Sequence, residues 1–120
     1  MDTPEPPLLF KICPAVAWND AASRGIYQGS ADDVRDGYIH LSAAHQLAGT
    51  LAKHFAGQEG LVLLALDTRR LGAELKWEAS RGGALFPHLY APLDLAAMLW
   101  AEPLALGPDG RHILPDGALA

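Results

Sequence analysis

The chain is poor in cysteine, in basic charge and in long apolar runs, and each shortage removes a class of protein. One cysteine, Cys13, stands among 120 residues. No internal disulfide framework can form, and paired-cysteine zinc sites are excluded. Nine Lys and Arg face fourteen Asp and Glu, a formal charge of −5. That balance opposes sequence-independent binding to duplex DNA, which needs clustered cations along a phosphate track. It leaves room for a small nucleotide, which needs only one local pocket. The longest uncharged stretches, 38–52 and 82–93, contain His, Gln, Gly or Pro and fall short of a membrane span. The opening MDTPEPPLLF holds two acids and three prolines and does not read as a signal peptide, so the expected location is the cytoplasm. No GxGxxG or GxxxxGK pattern occurs, and neither a Rossmann nor a P-loop site is supported.

What is present suits one domain. Half the residues are apolar and 19% are charged, which excludes global disorder. A chain of this length buries roughly two-thirds of its unfolded surface. Residues 1–7 read as a flexible lead-in, 8–106 as the domain and 107–120 as a C-terminal extension. LLFKIC alternates, with Leu8, Phe10 and Ile12 on one face and Leu9, Lys11 and Cys13 on the other, the pattern of a strand. Pro14 suits the first position of a helix with Ala15, Trp18 and Ala22 as its stripe, Arg24 in its last turn and Gly25 as its stop. The turn formers of 26–37 predict a loop with a short strand at its start. YIHLS predicts a strand, after which Ser42 caps a helix to about Ala56. Leu47, Leu51 and Phe55 form its stripe, with Ala44, Ala48 and Ala52 beside it. LVLLALD, 61–67, reads as a strand covered on both faces, and LKWEAS, 75–80, as an alternating one. Pro87 and Pro92 make 83–93 a loop or irregular edge. A strand over 97–106 places Pro103 at an edge or bulge, and a turn at 108–110 opens a short hairpin or loose end. This order gives an α+β domain rather than a βαβ series.

Three places carry candidate chemistry. His40 and Ser42 fall where a strand meets a helix start, a setting that favours an anion such as phosphate. His88 lies between apolar neighbours close to Tyr90. Glu78 and Arg81 precede Gly82 and Gly83, where the chain can turn sharply or approach a ligand. Each has an ordinary alternative: a hydrogen-bonded structural histidine, or an i,i+3 ion pair of little energy. A carboxylate–histidine acid/base pair is available at neutral pH. The spacing of His40, Glu78 and His88 matches no metal motif, and no metal is expected. His45, His54 and His112 read as surface or packing residues, Cys13 as a small buried hydrophobe, and Trp18, Trp77 and Trp100 as core.

The combination of KI near the start, GYIHLS, LVLLALD, KWE.SRGG and FPHLY resembles the bacterial family known as domain of unknown function nine-five-two. The resemblance covers about residues 8–106. It implies an ADP-ribosyltransferase-like fold, a curved split mixed β-sheet with two main helices that grips a nucleotide. The RNA 2′-phosphotransferases of that fold, which use NAD, carry a similar VHLS strand followed by a helix and an apolar strand. The resemblance implies His40 and Ser42 as cleft residues, with Glu78, Arg81, His88 and Tyr90 as further candidates. In ADP-ribosyl transfer, Glu78 would stabilise positive charge on the sugar as nicotinamide leaves. Where such transferases hold a His-Gly-Thr-like triplet, this chain has Lys11-Ile12-Cys13; Lys11 can meet a phosphate but cannot imitate a neutral imidazole. The resemblance therefore implies an NAD- or nucleotide-binding transferase with Glu78, His40 and His88 as catalytic candidates. A non-catalytic nucleotide or small-ligand module and a ligand-free interaction domain remain as alternatives, and no oligomeric state is implied.

Overall fold

The computed structural model describes residues 5–119, with Arg81, Gly117 and Leu119 described by backbone alone. Strand β1 (Leu8–Pro14) divides its side chains between two cores as its alternation predicts: Phe10 and Ile12 enter one, Leu9 and Cys13 the other. Strand β4 (Leu61–Asp67) pairs antiparallel with β1 along its whole length. It splits in the same way, with Val62, Leu64 and Leu66 on one side and Leu61, Leu63 and Ala65 on the other. All seven of its residues are buried, as expected of a strand covered on both faces. Each fully buried leucine is worth about 1.5–3 kcal/mol, so β4 anchors both cores.

Helix α1 (Ala15–Arg24) closes one core through Trp18 and Ala21 and ends at Gly25, whose φ of 76° is left-handed. Two expectations shift here. Pro14 belongs to the end of β1 with extended φ and ψ, and the buried alanine is Ala21, since Ala22 is exposed. Strand β2 (Ile26–Tyr27) is the short strand expected at the start of 26–37. The remainder is not all loop: helix α2 (Ala31–Asp36) occupies it.

Strand β3 (Ile39–His40) leads to Ser42, which does not cap a helix. Its backbone is instead bridged to Phe10, with N–H···O distances of 2.8 and 2.9 Å, and its Oγ lies 3.2 Å from Thr50 Oγ1. A serine drawn into a sheet loses the geometry that capping requires. A 3₁₀ turn at Ala44–Gln46 follows, and Gln46 Oε1 accepts the Ala43 N–H. Helix α3 (Leu47–His54) is correspondingly shorter than predicted; Leu47 and Leu51 are buried, Phe55 packs beside them, and Ala48 and Ala52 are exposed.

The segment containing Pro87 also departs from expectation. Strand β6 (Leu85–Leu89) is the middle strand of three, between β3 and β5 (Leu75–Ala79). Leu41 N–H donates to the Pro87 carbonyl at 3.0 Å, and no reciprocal bond can form because proline has no N–H. The ladder with β3 ends there, so Pro87 is tolerated where β3 runs out. Strand β7 (Leu93–Asp94) pairs with β2. Strand β8 (Met98–Leu106) pairs with β4, and its bulge falls at Leu99 between Met98 and Trp100 rather than at Pro103. Strand β9 (His112–Ile113) reaches only Ala105 and Leu106, leaving Pro103 on an open edge. Gly107 N–H closes this hairpin onto the Arg111 carbonyl at 2.7 Å, and helix α4 (Asp116–Leu119) buries Ala118 in the second core.

The Phe10–Ser42 bridge joins β5-β6-β3 to β1-β4-β8-β9 in one curled sheet. Every named strand pair is antiparallel, which corrects the expected mixed sheet. Helix α1 carries the chain from β1 to a strand of another sheet, so it forms no parallel crossover. The fold is α+β with few helices. Among the described residues no helix is long and apolar enough to cross a membrane.

Candidate functional site

The site begins with a capping box. Ser30 Oγ accepts the Asp33 N–H and Asp33 Oδ2 accepts the Ser30 N–H, which starts α2 and fixes the Asp33 side chain. Asp33 is buried, yet its carboxylate is well partnered. Lys11 Nζ lies 2.8 Å from Oδ2, while Oδ1 accepts the His40 N–H at 3.1 Å and sits 2.6 Å from His40 Nδ1. Burial pushes the Asp33 carboxyl up, but the His40 bond, the Lys11 charge and the Ser30 bond outweigh it and hold the group well below the carboxylate range. Lys11 also donates to the His40 carbonyl at 3.1 Å. This buried cation therefore ties β1 to both α2 and β3.

His40 stands between two acids. Its Nε2 is 3.0 Å from Asp36 Oδ2, opposite the Asp33 contact at Nδ1. Directly across the β3–β6 pairing lies His88, with 5.6 Å between ring centroids. The His88 side chain is 4% exposed and its Nδ1 is 2.9 Å from Glu78 Oε1, which also accepts the Tyr90 hydroxyl at 2.7 Å. The Tyr90 and His88 hydrogen bonds hold the Glu78 carboxyl below its usual range despite partial burial. The same bond to Glu78, with burial and the negative charge, pushes Tyr90 up to about 12. An ionised Glu78 can only accept, so Nδ1 of His88 carries the proton and Nε2 is the nitrogen left for proton exchange. Tyr38 stacks on His88 at 4.0 Å and 21° and contacts the rings of His40 and Tyr90 at 4.6 and 5.1 Å.

The two histidines border a cleft of about 250 Å³. Lys11, Ser42, His40 and His88 line it together with Asp33, Asp36 and Arg35. Of the candidates read from the sequence, those first four therefore meet at one cavity. Glu78 and Tyr90 are not among its lining residues; they stand behind His88 and reach the cleft through it. The Arg81 side chain lies outside the described residues. His54, read as a surface or packing residue, is exposed and also lines the cleft, whereas His45 is exposed and His112 bonds the Gln58 carbonyl. Cys13 is buried and free. Among the described residues no cluster of three or more His, Cys, Asp or Glu is placed to hold a metal ion.

Sequence reasoning missed Asp33, Asp36 and Tyr38. The signal for Asp33 was present as Ser30-x-x-Asp33, a capping-box pattern, closed by Gly37 at φ 88°. Tyr38 was legible only as the first residue of the expected YIHLS strand, which in the structure begins one residue later.

A profile of the family described as protein of unknown function (DUF952) matches residues 12–101. The chain belongs to this family. The matched DUF952 span contains His40, Glu78, His88 and Tyr90, and Lys11 lies one residue before it. The crystal structure of protein CC0527 from Caulobacter crescentus is similar at a TM-score of 0.88 and 48% identity, covering 94% of this chain and 99% of that one. A double-methionine variant of CC0527 is similar at 0.88 and 47%, with the same coverage. The solution structure of CC0527 gives 0.79 and 50%, over 87% of this chain and 90% of that one. No curated protein matches the chain.

Proposed function

We propose that the cleft binds a nucleotide or another phosphorylated small molecule and that His88 and His40 perform acid–base chemistry on it. One observation carries this reading: two histidines paired across adjacent strands, each with Nδ1 on its own carboxylate, border one small cavity. In a dyad of this kind the carboxylate orients the ring and stabilises the imidazolium that forms when the other nitrogen accepts a proton. His88 is the base in this reading, Glu78 its positioning residue, and Lys11 and Arg35 the cations nearest a phosphate. Ser42 and Thr50 offer hydroxyls on the same wall. A volume of about 250 Å³ lies below the usual ~300–1,000 Å³ of drug-sized pockets. It suits a sugar phosphate or one nucleotide half better than an entire dinucleotide.

ADP-ribosyl transfer from NAD is the most specific form of this reading and rests on the sequence resemblance. It requires Glu78 to reach the sugar, although its Oε1 is already engaged by His88 and Tyr90. A non-catalytic binding module is favoured by a different feature, the two carboxylates that already occupy both ring nitrogens of His40.

A thermal-shift panel of NAD, ADP-ribose, mononucleotides and ribose 5-phosphate tests binding. At about 100 times its dissociation constant a ligand stabilises by about 2.7 kcal/mol, visible as a raised Tm. A flat response across the panel would overturn the proposal. For a ligand that binds, loss of turnover in His88→Gln with binding retained supports catalysis, whereas turnover in neither protein leaves the binding module. Nicotinamide release from NAD decides the ADP-ribosyl form.

A further inference from the structure

A second hollow, of about 310 Å³, opens beside the first, and Asp33 lines both. The two differ in chemistry. Lys11, Arg35, two further aspartates and three histidines line the first. The second is walled by Val34, Tyr38, Leu89, Tyr90 and Pro92, with Asp33 as its single ionisable acid or base besides the tyrosine phenols. Asp33 is already met by Lys11 and His40, so the second hollow presents aromatic and apolar surface without a free charge.

Two features show that this surface is open and fixed. Val34 is 71% exposed on α2 and Tyr90 is 40% exposed, both large apolar side chains left in water. The Tyr90 ring is held by its hydroxyl on Glu78, and the Tyr38 ring is held by stacking on His88. An apolar seat whose side chains are already oriented binds a flat ring without the cost of ordering them. It adjoins the first cleft at Asp33, which lines both, and its Tyr38 ring stacks on the candidate base His88.

We infer that the second hollow is a subsite for a planar heterocyclic ring attached to the phosphorylated group in the cleft, so that the ligand is a nucleotide rather than a sugar phosphate. This rests on the reading proposed above and narrows it. Ring stacking on aromatic side chains is worth about 1–3 kcal/mol per base, which sets the scale of the test.

Calorimetric titration of the purified protein with AMP, UMP and ribose 5-phosphate reads it directly. At least one nucleotide is expected to bind about tenfold to a hundredfold more tightly than ribose 5-phosphate. Val34→Gln changes an exposed position outside the first cleft. It is expected to shrink that advantage several-fold and to leave ribose 5-phosphate affinity unchanged. Tyr90→Ala should abolish the advantage whatever it does to turnover. Equal affinities for all three ligands in the wild type would overturn the subsite while leaving phosphate binding intact. A nucleotide advantage that survives Tyr90→Ala would overturn it as well. Binding of none of them would overturn the proposed function itself, and the subsite with it.

Discussion

His40 and His88 are register partners on adjacent antiparallel strands, and each presents Nδ1 to a different carboxylate, Asp33 at 2.6 Å and Glu78 at 2.9 Å. The two carboxylates live in unlike surroundings. Asp33 is buried and neutralised by Lys11, whereas the Glu78 side chain is 39% exposed and held by a phenol. One member of the pair is therefore locked into the frame of the fold, and the other is tied to groups at its surface.

The Glu78 environment can be read without any ligand. Its hydrogen bond is the first cause of the Tyr90 phenol standing at about 12, ahead of burial and of the carboxylate charge. Glu78→Gln removes the charge and weakens the bond, so Tyr90 should titrate closer to the ordinary value of about 10. Absorbance of tyrosinate against pH measures this, with Tyr90→Phe assigning the step among the chain's three tyrosines. An unchanged Tyr90 step would show that the phenol does not rest on Glu78.

The Lys11–Asp33 pair should behave as a buried ion pair. Asp33→Asn strands the Lys11 ammonium in a protein interior where both side chains are almost fully covered. Breaking one side of such a pair costs about 3–5 kcal/mol, and urea unfolding should show a loss of that order. Lys11→Met added to Asp33→Asn removes the stranded charge and should recover part of the loss. Strict additivity of the two substitutions would mean that they do not interact.

How much of this site was legible follows from what each element shows in sequence. Strands β1 and β4 announce themselves by alternation and by an unbroken apolar run, and both cores grow from them. His40 stood out as an imidazole in an apolar strand and His88 as one between apolar neighbours in an expected loop or irregular edge, and the register brings them together. Helix α2 escaped because its six residues are too few for an apolar period to emerge and are rich in turn formers. Asp33 was lost with it. Pro87 hid β6 because proline argues against a central strand, and only the early end of β3 removes that objection. The distant contacts of Lys11 were beyond local reading, since α2 and β3 must fold before they exist.

The Ser30 cap offers a milder perturbation of the same centre. Its hydroxyl accepts the Asp33 N–H at 3.2 Å, and replacing a capping serine by alanine costs about 0.5–2 kcal/mol. Ser30→Ala should lower stability within that range, while Lys11 and His40 continue to hold the Asp33 carboxylate. Amide hydrogen exchange in α2 should then speed up by at least the factor that this loss implies. Unchanged exchange in α2 would mean that the cap does not hold the helix.

Acid should destabilise the protein through this centre. Asp33 has a folded pKa below its unfolded value of about 3.9, so the unfolded chain takes up its proton first. Its contribution is fully present above the unfolded value and is lost as pH falls toward the folded one. Stability from urea unfolding should be level above about pH 5 in this respect and drop below it, by on the order of a few kcal/mol for Asp33. Asp36 and Glu78, also lowered, act in the same direction. Asp33→Asn should flatten the acid limb; an equally steep limb in that variant would place the acid sensitivity elsewhere.

Cys13 gives a probe for opening of the strand that carries Lys11. The thiol is buried, and its pKa of about 11 comes first from that burial, with Lys11 lowering it and Asp33 raising it. At pH 8 only about one thiol in a thousand would then be ionised, and the thiolate is the reacting form. Alkylation of the native protein should therefore be slow and should pass through states in which β1 has opened. The rate should be independent of reagent structure once opening is limiting, should rise in Asp33→Asn, and should fall when a ligand occupies the cleft. A native thiol that reacts as fast as it does in urea would contradict both its burial and the strand pairing of β1 with β4, because Cys13 lies opposite Val62 within that pairing.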